Sequence, residues 1–196
     1  MLGFNIFMKK RLIVLSAPSG GGKTTVAKHL LSTFSELKFS ISATTRQKRD
    51  NEVNGRDYHF LSKEEFTEKI KNKELVEYEE IYGNYYGTLY SEIDEAIKND
   101  KILLFDVDVK GAISIKNSYP KEALLIFLMP PDIEILKQRL RDRKTETDEQ
   151  FEKRIDRVRM ELEMKDKFDY IVVNDKLDKT LKEVENIVRN NIFRSE

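Results

Sequence analysis

The chain has 196 residues, of which 39% are hydrophobic and 36% charged, and its 35 basic residues balance 35 acidic ones. This length fits one compact domain with a buried core and inserted lobes. Zero net charge argues against a general binder of nucleic acids or anionic membranes. The absence of cysteine excludes disulfides, thiolate catalysis and cysteine-based metal sites. We see no signal peptide and no apolar run near the ~20 residues of a membrane span, and we expect a cytoplasmic protein.

The apolar pattern predicts strands that alternate with helices. Each predicted strand is a short apolar or alternating run, at 11–15, 39–44, 101–108, 123–129 and 169–174. Five helices are expected. The first begins at about residue 23, and the second covers 63–72 after a capping box of Ser62 and Glu65. The third runs from Asp132 to about Arg141, the fourth from a capping box of Thr147 and Gln150 to about 166, and the fifth lies near the C-terminus. Strands separated by helices indicate an α/β fold with a parallel sheet. Between residues 40 and 97 the sequence is polar, tyrosine-rich and hairpin-like, which indicates an inserted lobe.

A glycine-rich turn with the sequence "LSAPSGGGKTT" occupies residues 15–25, between the first predicted strand and the first predicted helix. Glycines can adopt positive φ angles, so that successive amides converge on an anion at the helix N-terminus. In such a loop Lys23 would reach the β- and γ-phosphates of a nucleotide, and the Thr24 hydroxyl would bind Mg²⁺. We interpret this stretch as a phosphate loop, the alternative being a structural glycine turn.

Ala17 departs from the usual pattern G-x-x-x-x-G-K-[ST], which has glycine at that position. It lies at the end of the strand, before the amides that would hold the phosphates. We therefore expect its methyl group to be tolerated, provided that its φ is negative.

Four residues of the inserted segment could form a second anion site. Arg46 and Arg49 follow a predicted strand, Tyr58 follows a turn, and Tyr86 lies in "GNYYGT". Two guanidinium groups with two phenol donors suit a phosphate monoester. A solvated basic turn beside core tyrosines is the alternative at this stage, because charged turns are common.

Two carboxylates and two hydroxyls could read the edge of a purine, namely Glu77, Asp108, Ser42 and Thr88. Guanine offers N1–H and N2–H₂ as donors and O6 as an acceptor. Carboxylates could accept from the donors while hydroxyls donate to O6, and adenine would leave a carboxylate unpaired. All four could equally be surface polar residues, since composition and spacing alone do not reveal guanine.

The chain resembles the guanylate kinase family over residues 11–190. The stretches that carry the resemblance are "SAPSGGGKTT", "FSISATTRQKR", "EVNGRDYHF", "VEYEEIYGNYYGT", "LFDVDVKGA" and "KTETDEQFEKR". The resemblance implies a P-loop kinase fold, with a parallel five-stranded sheet flanked by helices. It also implies a core formed by residues 1–40, 98–134 and 160–196, a GMP-binding lobe at 41–97 and a mobile lid at 135–159.

The resemblance implies transfer of the γ-phosphoryl group from ATP, bound with Mg²⁺, to GMP and dGMP. The GMP phosphate would be held by Arg46, Arg49, Tyr58 and Tyr86, and the guanine would be read by Ser42, Glu77, Thr88 and Asp108. ATP would contact Ser19, Gly20, Gly21, Gly22, Lys23, Thr24, Thr25, Arg139 and Asn174. The catalytic residues would be Lys23, Arg143 and Arg154. Mg²⁺ would bind at Thr24, with Asp106 able to organise it through water.

We expect a monomer or homodimer whose partners are the small molecules ATP and GMP, with no nucleic acid and no membrane. Scaffold modules related to this family bind peptides without catalysis, but they typically lose the phosphate-loop residues that are kept here as Gly22, Lys23 and Thr24. A related kinase acting on ribose 1,5-bisphosphate would have no use for residues that read a base. An adenylate or thymidylate kinase would lack that set as well.

Overall fold

The structure is a computed structural model that describes residues 10–18, 20–81, 83–141 and 148–193, without the side chains of 138–140 and 148–150. Its elements in chain order are β1 (Leu12–Ser16), α1 (Lys23–Thr33), β2 (Leu37–Phe39), β3 (Ala43–Thr44), β4 (His59–Phe60), α2 (Lys63–Lys71), β5 (Leu75–Ile81), β6 (Asn84–Leu89), α3 (Tyr90–Lys98), β7 (Ile102–Asp106), α4 (Val109–Ser118), β8 (Ala123–Met129), α5 (Ile133–Arg141), α6 (Asp148–Glu163), β9 (Tyr170–Val173) and α7 (Leu177–Val188). A 3₁₀ turn at Lys165–Lys167 precedes β9, and a π turn at Arg189–Phe193 follows α7. In these ranges, none of the helices combines the length and apolar character needed to cross a membrane.

The large sheet has five strands in the order β2-β7-β1-β8-β9, and all its pairings are parallel. Strand β1 is central and completely buried, as a parallel strand covered on both faces must be. Its side chains alternate between two cores. Ile13 and Leu15 pack with α1 and α7, whereas Leu12 and Val14 pack with α3 and α4. The predicted α/β fold with a five-stranded parallel sheet is therefore confirmed.

The predicted strand 39–44 is wrong, because the chain changes sheets inside it. Phe39 is the last residue of β2 in the large sheet, and the Ser40 amide still donates to the Leu104 carbonyl at 2.9 Å. Ala43 then begins β3, where it pairs with Gly87 of β6. Two short strands that share one alternation of polar and apolar residues look like one long strand in the sequence. The alternation does not show which other strand each of them pairs with.

The small sheet has the order β4-β3-β6-β5 and lies within the segment predicted to form a lobe. Strands β5 and β6 form an antiparallel hairpin, and β3 pairs antiparallel to β6. The predicted capping box opens α2, with the Glu65 amide donating to Ser62 Oγ at 3.0 Å and the Ser62 amide donating to the Glu65 carboxylate at 2.6 Å. Phe66 of α2 is fully buried against the sheet. The second predicted capping box involves Thr147, which lies outside the described residues.

Candidate active site

The glycine-rich turn joins the end of β1 to the start of α1, at the edge of the sheet where ligands of parallel α/β folds bind. Gly20 has a φ of 83°, and Gly22, the N-cap of α1, has a φ of 92°. Side chains rarely tolerate these angles, which explains glycine at both positions. The Gly21 amide donates to the Pro18 carbonyl at 2.8 Å, which closes the turn. Ser19 lies outside the described residues.

Ala17 fits this turn because the neighbouring glycine leaves room for it. Its side chain is buried. Among the described non-glycine residues only Lys73 and Asp100 have a positive φ, so the φ of Ala17 is negative, as expected. A Cβ added to Gly21 would lie 2.6 Å from the Ala17 Cβ and 2.8 Å from the Pro18 carbonyl oxygen. The alanine methyl therefore occupies space that Gly21 must leave empty.

The loop borders a polar cavity of about 350 Å³, lined by residues 20–25 and Asp106. Thr24 Oγ1 donates to Asp106 Oδ2 at 3.4 Å, and Lys23 Nζ lies 4.0 Å from Asp106 Oδ1. Lys23 also donates to the Ala17 carbonyl at 3.0 Å. Burial raises the pKa of Asp106, and the charge of Lys23 and the Thr24 hydroxyl act in the opposite direction. The hydroxyl and the carboxylate together are oxygen ligands of the kind that Mg²⁺ takes.

Asn174 follows β9 and lies directly beside this loop. Its buried Nδ2 donates to the Gly21 carbonyl oxygen at 2.8 Å, and a Cβ added to Gly22 would lie 2.5 Å from the same nitrogen. The Asn174 side chain therefore supports the glycine-rich loop through the carbonyl group of Gly21. This contact joins the last strand of the sheet to a loop 153 residues away in sequence.

Three of the four predicted phosphate ligands of the lobe lie together. The Arg46 guanidinium stacks over the Tyr58 ring at 5.3 Å, and the rings of Tyr58 and Tyr86 are 6.2 Å apart. Arg46 is held by Glu52, with Nη2 donating to Oε1 at 2.7 Å and Nη1 donating to Oε2 at 3.0 Å. Burial raises the pKa of Tyr58, which keeps its phenol a hydrogen-bond donor.

Glu52 also joins Arg49 to this cluster. Its Oε2 accepts from the Arg49 amide at 2.8 Å, whereas the residue Arg49 is exposed. The Arg46 hydrogen bond, followed by that of the Arg49 amide, lowers the pKa of Glu52 to about 2. Glu52 was not predicted from the sequence as part of this cluster. The available signal is an acidic residue six positions after Arg46. The carboxylate fixes both the side chain of one arginine and the backbone of the other.

The pairing of the small sheet aligns the predicted base-reading residues in one row. Glu77 of β5 pairs with Thr88 of β6. Ala43 pairs with Gly87, and this antiparallel register continued by one residue places Ser42 opposite Thr88. Tyr86, two residues along β6, shares the face of Thr88 because strand side chains alternate. The row of predicted base-reading residues and one predicted phosphate ligand, Tyr86, are therefore adjacent on one face of the sheet.

Glu77 is half-buried and lies next to two other acidic groups. Burial raises its pKa to about 7, and the charges of Asp108 and Glu79 add to the effect, whereas a hydrogen bond from Thr88 opposes it. That bond, from Thr88 Oγ1 to Glu77 Oε1, is 2.6 Å long. A Cβ added to Gly111 would lie 3.0 Å from both Glu77 Oε2 and Asp108 Oδ1, which shows that the two carboxylates meet over the start of α4.

The predicted lid residues are described only in part. Arg154 lies on α6, partly buried. Arg139 lies on α5, but its side chain is not described, and Arg143 lies outside the described residues.

Arg157, one turn after Arg154 on α6, has contacts that sequence reasoning did not foresee. Its guanidinium forms ion pairs with Glu79, Asp108 and Glu161. The pair with Glu161 is signalled by its i,i+4 spacing within the helix. The pairs with Glu79 and Asp108 have no local signal, because they join separate elements.

Comparison with known proteins gives consistent matches over nearly the whole chain. A model of the guanylate kinase family, "Guanylate kinase", matches residues 9–191. The chain is 47% identical to the guanylate kinase of Chlorobium luteolum, covering 89% of this chain and 88% of the relative. It is 50% identical to that of Chlorobaculum tepidum, covering 87% and 88%. A crystal structure of guanylate kinase from Anaplasma phagocytophilum matches with a TM-score of 0.71 at 29% identity, covering 95% of this chain and 88% of that one.

Proposed function

Because this chain belongs to the guanylate kinase family, we propose that it transfers the γ-phosphoryl group of ATP to GMP or dGMP, giving ADP and GDP or dGDP. It is thus a nucleoside monophosphate kinase. The observation that carries the choice of acceptor is the half-buried Glu77 carboxylate, which is held by Thr88 and adjoins Asp108. An anion-binding loop would serve many nucleotides, but this cluster suits the donor edge of guanine.

Guanine is read by the row of the small sheet and by Asp108. The carboxylates of Glu77 and Asp108 accept from N1–H and the 2-amino group, and the Ser42 hydroxyl donates to O6. Thr88 donates its one hydroxyl proton to Glu77 and contributes to base recognition by holding that carboxylate. Adenine has a lone pair at N1 and no 2-amino group, so it would leave desolvated carboxylates unpaired. A mismatch of this kind rejects a substrate by about 10⁴–10⁵-fold in sites built to hydrogen-bond.

The acceptor phosphate binds the cluster formed by Arg46, Arg49, Tyr58 and Tyr86. Arg46 is already oriented by Glu52 and by the Tyr58 ring, which reduces the entropy lost on binding. An oxygen of this phosphate is the nucleophile. It is ionised at neutral pH, so the reaction requires no general base from the protein.

ATP binds the phosphate loop through the amides of residues 20–25 and through Lys23, with Ser19, Arg139 and Asn174 as further ATP-binding residues. Thr24 and, through water, Asp106 would hold Mg²⁺. No group of three acidic or histidine residues in the described part of the chain could hold a metal alone, so phosphate oxygens and water would complete its coordination. Bound there, Mg²⁺ would neutralise charge on the β- and γ-phosphates.

Catalysis rests on alignment and on positive charge. Lys23, Arg143 and Arg154 stabilise the charge of the transferring phosphoryl group. We assign residues 1–40, 98–134 and 160–196 to the core, 41–97 to the GMP-binding lobe and 135–159 to the lid. Closure of the lobe and the lid excludes water and brings the arginines to the phosphates. The protein acts in the cytoplasm as a monomer or homodimer, without nucleic acid or membrane.

The reaction is tested by following a radiolabelled γ-phosphate from ATP in the presence of Mg²⁺ and GMP. We expect the label to appear in GDP. Lys23→Met should lower the rate by about 10³-fold or more, since it removes a charge next to the phosphoryl group. Lys28→Met, an exposed change on the same helix, is the matched control and should keep the rate. Label that appears only in inorganic phosphate would contradict phosphotransfer.

A further inference from the structure

We propose that Arg157 is a positioning residue for base recognition, which holds Asp108 in the orientation that accepts from the guanine 2-amino group and ties helix α6 to the base site. This inference rests on the proposed guanylate kinase function. It assigns a role to an arginine outside the phosphate-binding set.

The geometry of Arg157 is that of a junction between elements. Its Nη2 lies 3.1 Å from Asp108 Oδ2, its Nη1 lies 2.5 Å from Glu79 Oε1, and its Nε lies 3.0 Å from Glu161 Oε1. Three donors of one planar group thus engage carboxylates of β5, of the α4 N-cap and of α6 itself. A guanidinium can hold such an arrangement because its donors are fixed in one plane.

The second oxygen of Asp108 is fixed as well. Asp108 is the N-cap of α4, and its Oδ1 accepts from the Gly111 amide at 2.7 Å. With Arg157 on the other oxygen, the carboxylate plane can no longer rotate freely. The same Oδ1 lies with Glu77 Oε2 around Gly111, so the fixed plane also sets how the two carboxylates present themselves to a base.

Charge explains why an arginine is needed at this place. Glu77, Glu79 and Asp108 lie close enough for the charges of the latter two to disfavour ionisation of Glu77. Like charges repel, and the repulsion is stronger in a partly buried site. Arg157 is a cation that contacts Glu79 and Asp108 directly. Its positive charge therefore reduces the repulsion among Glu77, Glu79 and Asp108 as long as no bound substrate donates hydrogen bonds to them.

Glu161 indicates that the position of Arg157 is itself constrained. It is 5% exposed, its Oε1 accepts from Arg157 Nε, and its buried Oε2 has no hydrogen-bond partner among the described atoms. Burial raises the pKa of Glu161, while Arg157 and, more weakly, Lys23 oppose that shift. A carboxylate with an unsatisfied buried oxygen is a poor way to stabilise a fold. Its position is explained if its task is to orient the guanidinium.

The contacts of Arg157 connect the three parts of the chain that we assigned as lid, GMP-binding lobe and core. Arg157 belongs to the lid segment, Glu79 to the GMP-binding lobe and Asp108 to the core. A cavity of about 240 Å³ lies beside it, bordered by Glu79, Asp108, Arg157 and Glu161. The place of α6 and the orientation of Asp108 are consequently coupled through one side chain.

The test compares GMP with IMP, which lacks the 2-amino group. The variants are Arg157→Gln, Arg157→Lys and the matched control Arg159→Gln, since Arg159 is an exposed arginine of the same helix that pairs only with Asp156 among the described partners. We expect Arg157→Gln to raise KM for GMP by about tenfold, with little change in kcat, and to lower the GMP-to-IMP ratio of kcat/KM by a similar factor. Arg157→Lys should restore part of the ratio, and Arg159→Gln should leave it unchanged.

An unchanged ratio in Arg157→Gln, or equal losses for GMP and IMP, would overturn the inference. If Arg157→Gln does not fold, Glu161→Gln serves in its place, and it should lower the same ratio by a smaller factor. The same ratio as in the unmodified protein would then overturn the inference. Lack of GMP turnover by the unmodified protein would instead contradict the proposed function, and the inference with it.

Discussion

Thr88 Oγ1 donates a 2.6 Å hydrogen bond to Glu77 Oε1, across two paired strands of the small sheet. Thr88 is fully buried, and Glu77 is half-buried beside the acidic groups of Asp108 and Glu79. The bond favours the ionised carboxylate, which is the form that would accept from guanine under the proposed function. A single hydroxyl thus both orients the Glu77 carboxylate and offsets part of the effect of burial on its ionisation.

Removing this hydroxyl should weaken GMP binding specifically. We expect Thr88→Val to raise KM for GMP by about tenfold or more, because a hydrogen bond to a charged group contributes about 1.5–3 kcal/mol. KM for ATP should stay the same. Thr88→Ser keeps the hydroxyl and is the matched control, with KM for GMP near that of the unmodified protein. Steady-state kinetics in both substrates checks this, and equal effects of Val and Ser would contradict it.

The raised pKa of Glu77 predicts a pH dependence of base binding. With a pKa of about 7, the carboxylate is mostly ionised at pH 8 and mostly protonated at pH 6. Protonation removes the acceptor, so Kd should rise by about tenfold as the pH falls across this range. Guanosine is the ligand to use in calorimetry, because it carries no phosphate that titrates nearby. In Glu77→Gln the binding should be weak and nearly independent of pH, and a pH-independent Kd of the unmodified protein would contradict the assignment.

Arg46 and Arg56 allow a matched comparison of two arginines in the lobe. Arg46 is held by Glu52 and packs over Tyr58, whereas Arg56 pairs with Asp57 at the surface. We expect Arg46→Ala to raise KM for GMP by about 100-fold, since it removes charge-assisted hydrogen bonds to the phosphate. Arg56→Ala should change it by less than about twofold. Similar losses in both variants would show that the phosphate site has been misassigned.

Ala17 and Gly21 should respond differently to small changes. Ala17→Gly removes a methyl whose backbone needs no glycine, so turnover should change only slightly, while unfolding becomes easier by about 1 kcal/mol. Gly21→Ala would place a Cβ 2.6 Å from that of Ala17, which forces the loop to move. We expect it to abolish most of the activity. Kinetics and thermal unfolding check both variants, and a tenfold loss in Ala17→Gly would mean that the loop is assigned wrongly.

The parts of the fold that sequence predicts are those with a local cause. The run Leu12–Ser16 is apolar throughout because both faces of a central parallel strand are covered, and it is buried as expected. The Ser62 capping box needs only residues three apart, and it is formed. Strand boundaries at 39–44 failed because the choice of partner sheet depends on residues far along the chain.

The candidate site likewise contains some residues that a local sequence pattern predicts and others whose contacts depend on distant parts of the chain. The glycine turn, Lys23 and Thr24 follow from a contiguous pattern, and the bond between Arg157 and Glu161 follows from helical spacing. By contrast, the Asn174 amide meets Gly21 across 153 positions, and Asp108 meets Arg157 across 49. Such contacts depend on how strands and helices pack, which no local pattern contains. The contacts of Arg157 with Asp108 and Glu79 could therefore only be seen in three dimensions.

A comparison of acceptors tests the proposed phosphoryl transfer to GMP most directly. ADP release from ATP with Mg²⁺ is measured with GMP, dGMP, AMP, dTMP and ribose 1,5-bisphosphate, for the unmodified protein and for Glu77→Gln. We expect kcat/KM for GMP and dGMP to exceed that for the other acceptors by about 10³-fold or more, and Glu77→Gln to lose most of this preference. Comparable rates with AMP or with ribose 1,5-bisphosphate, or no turnover by folded protein that binds ATP, would contradict it.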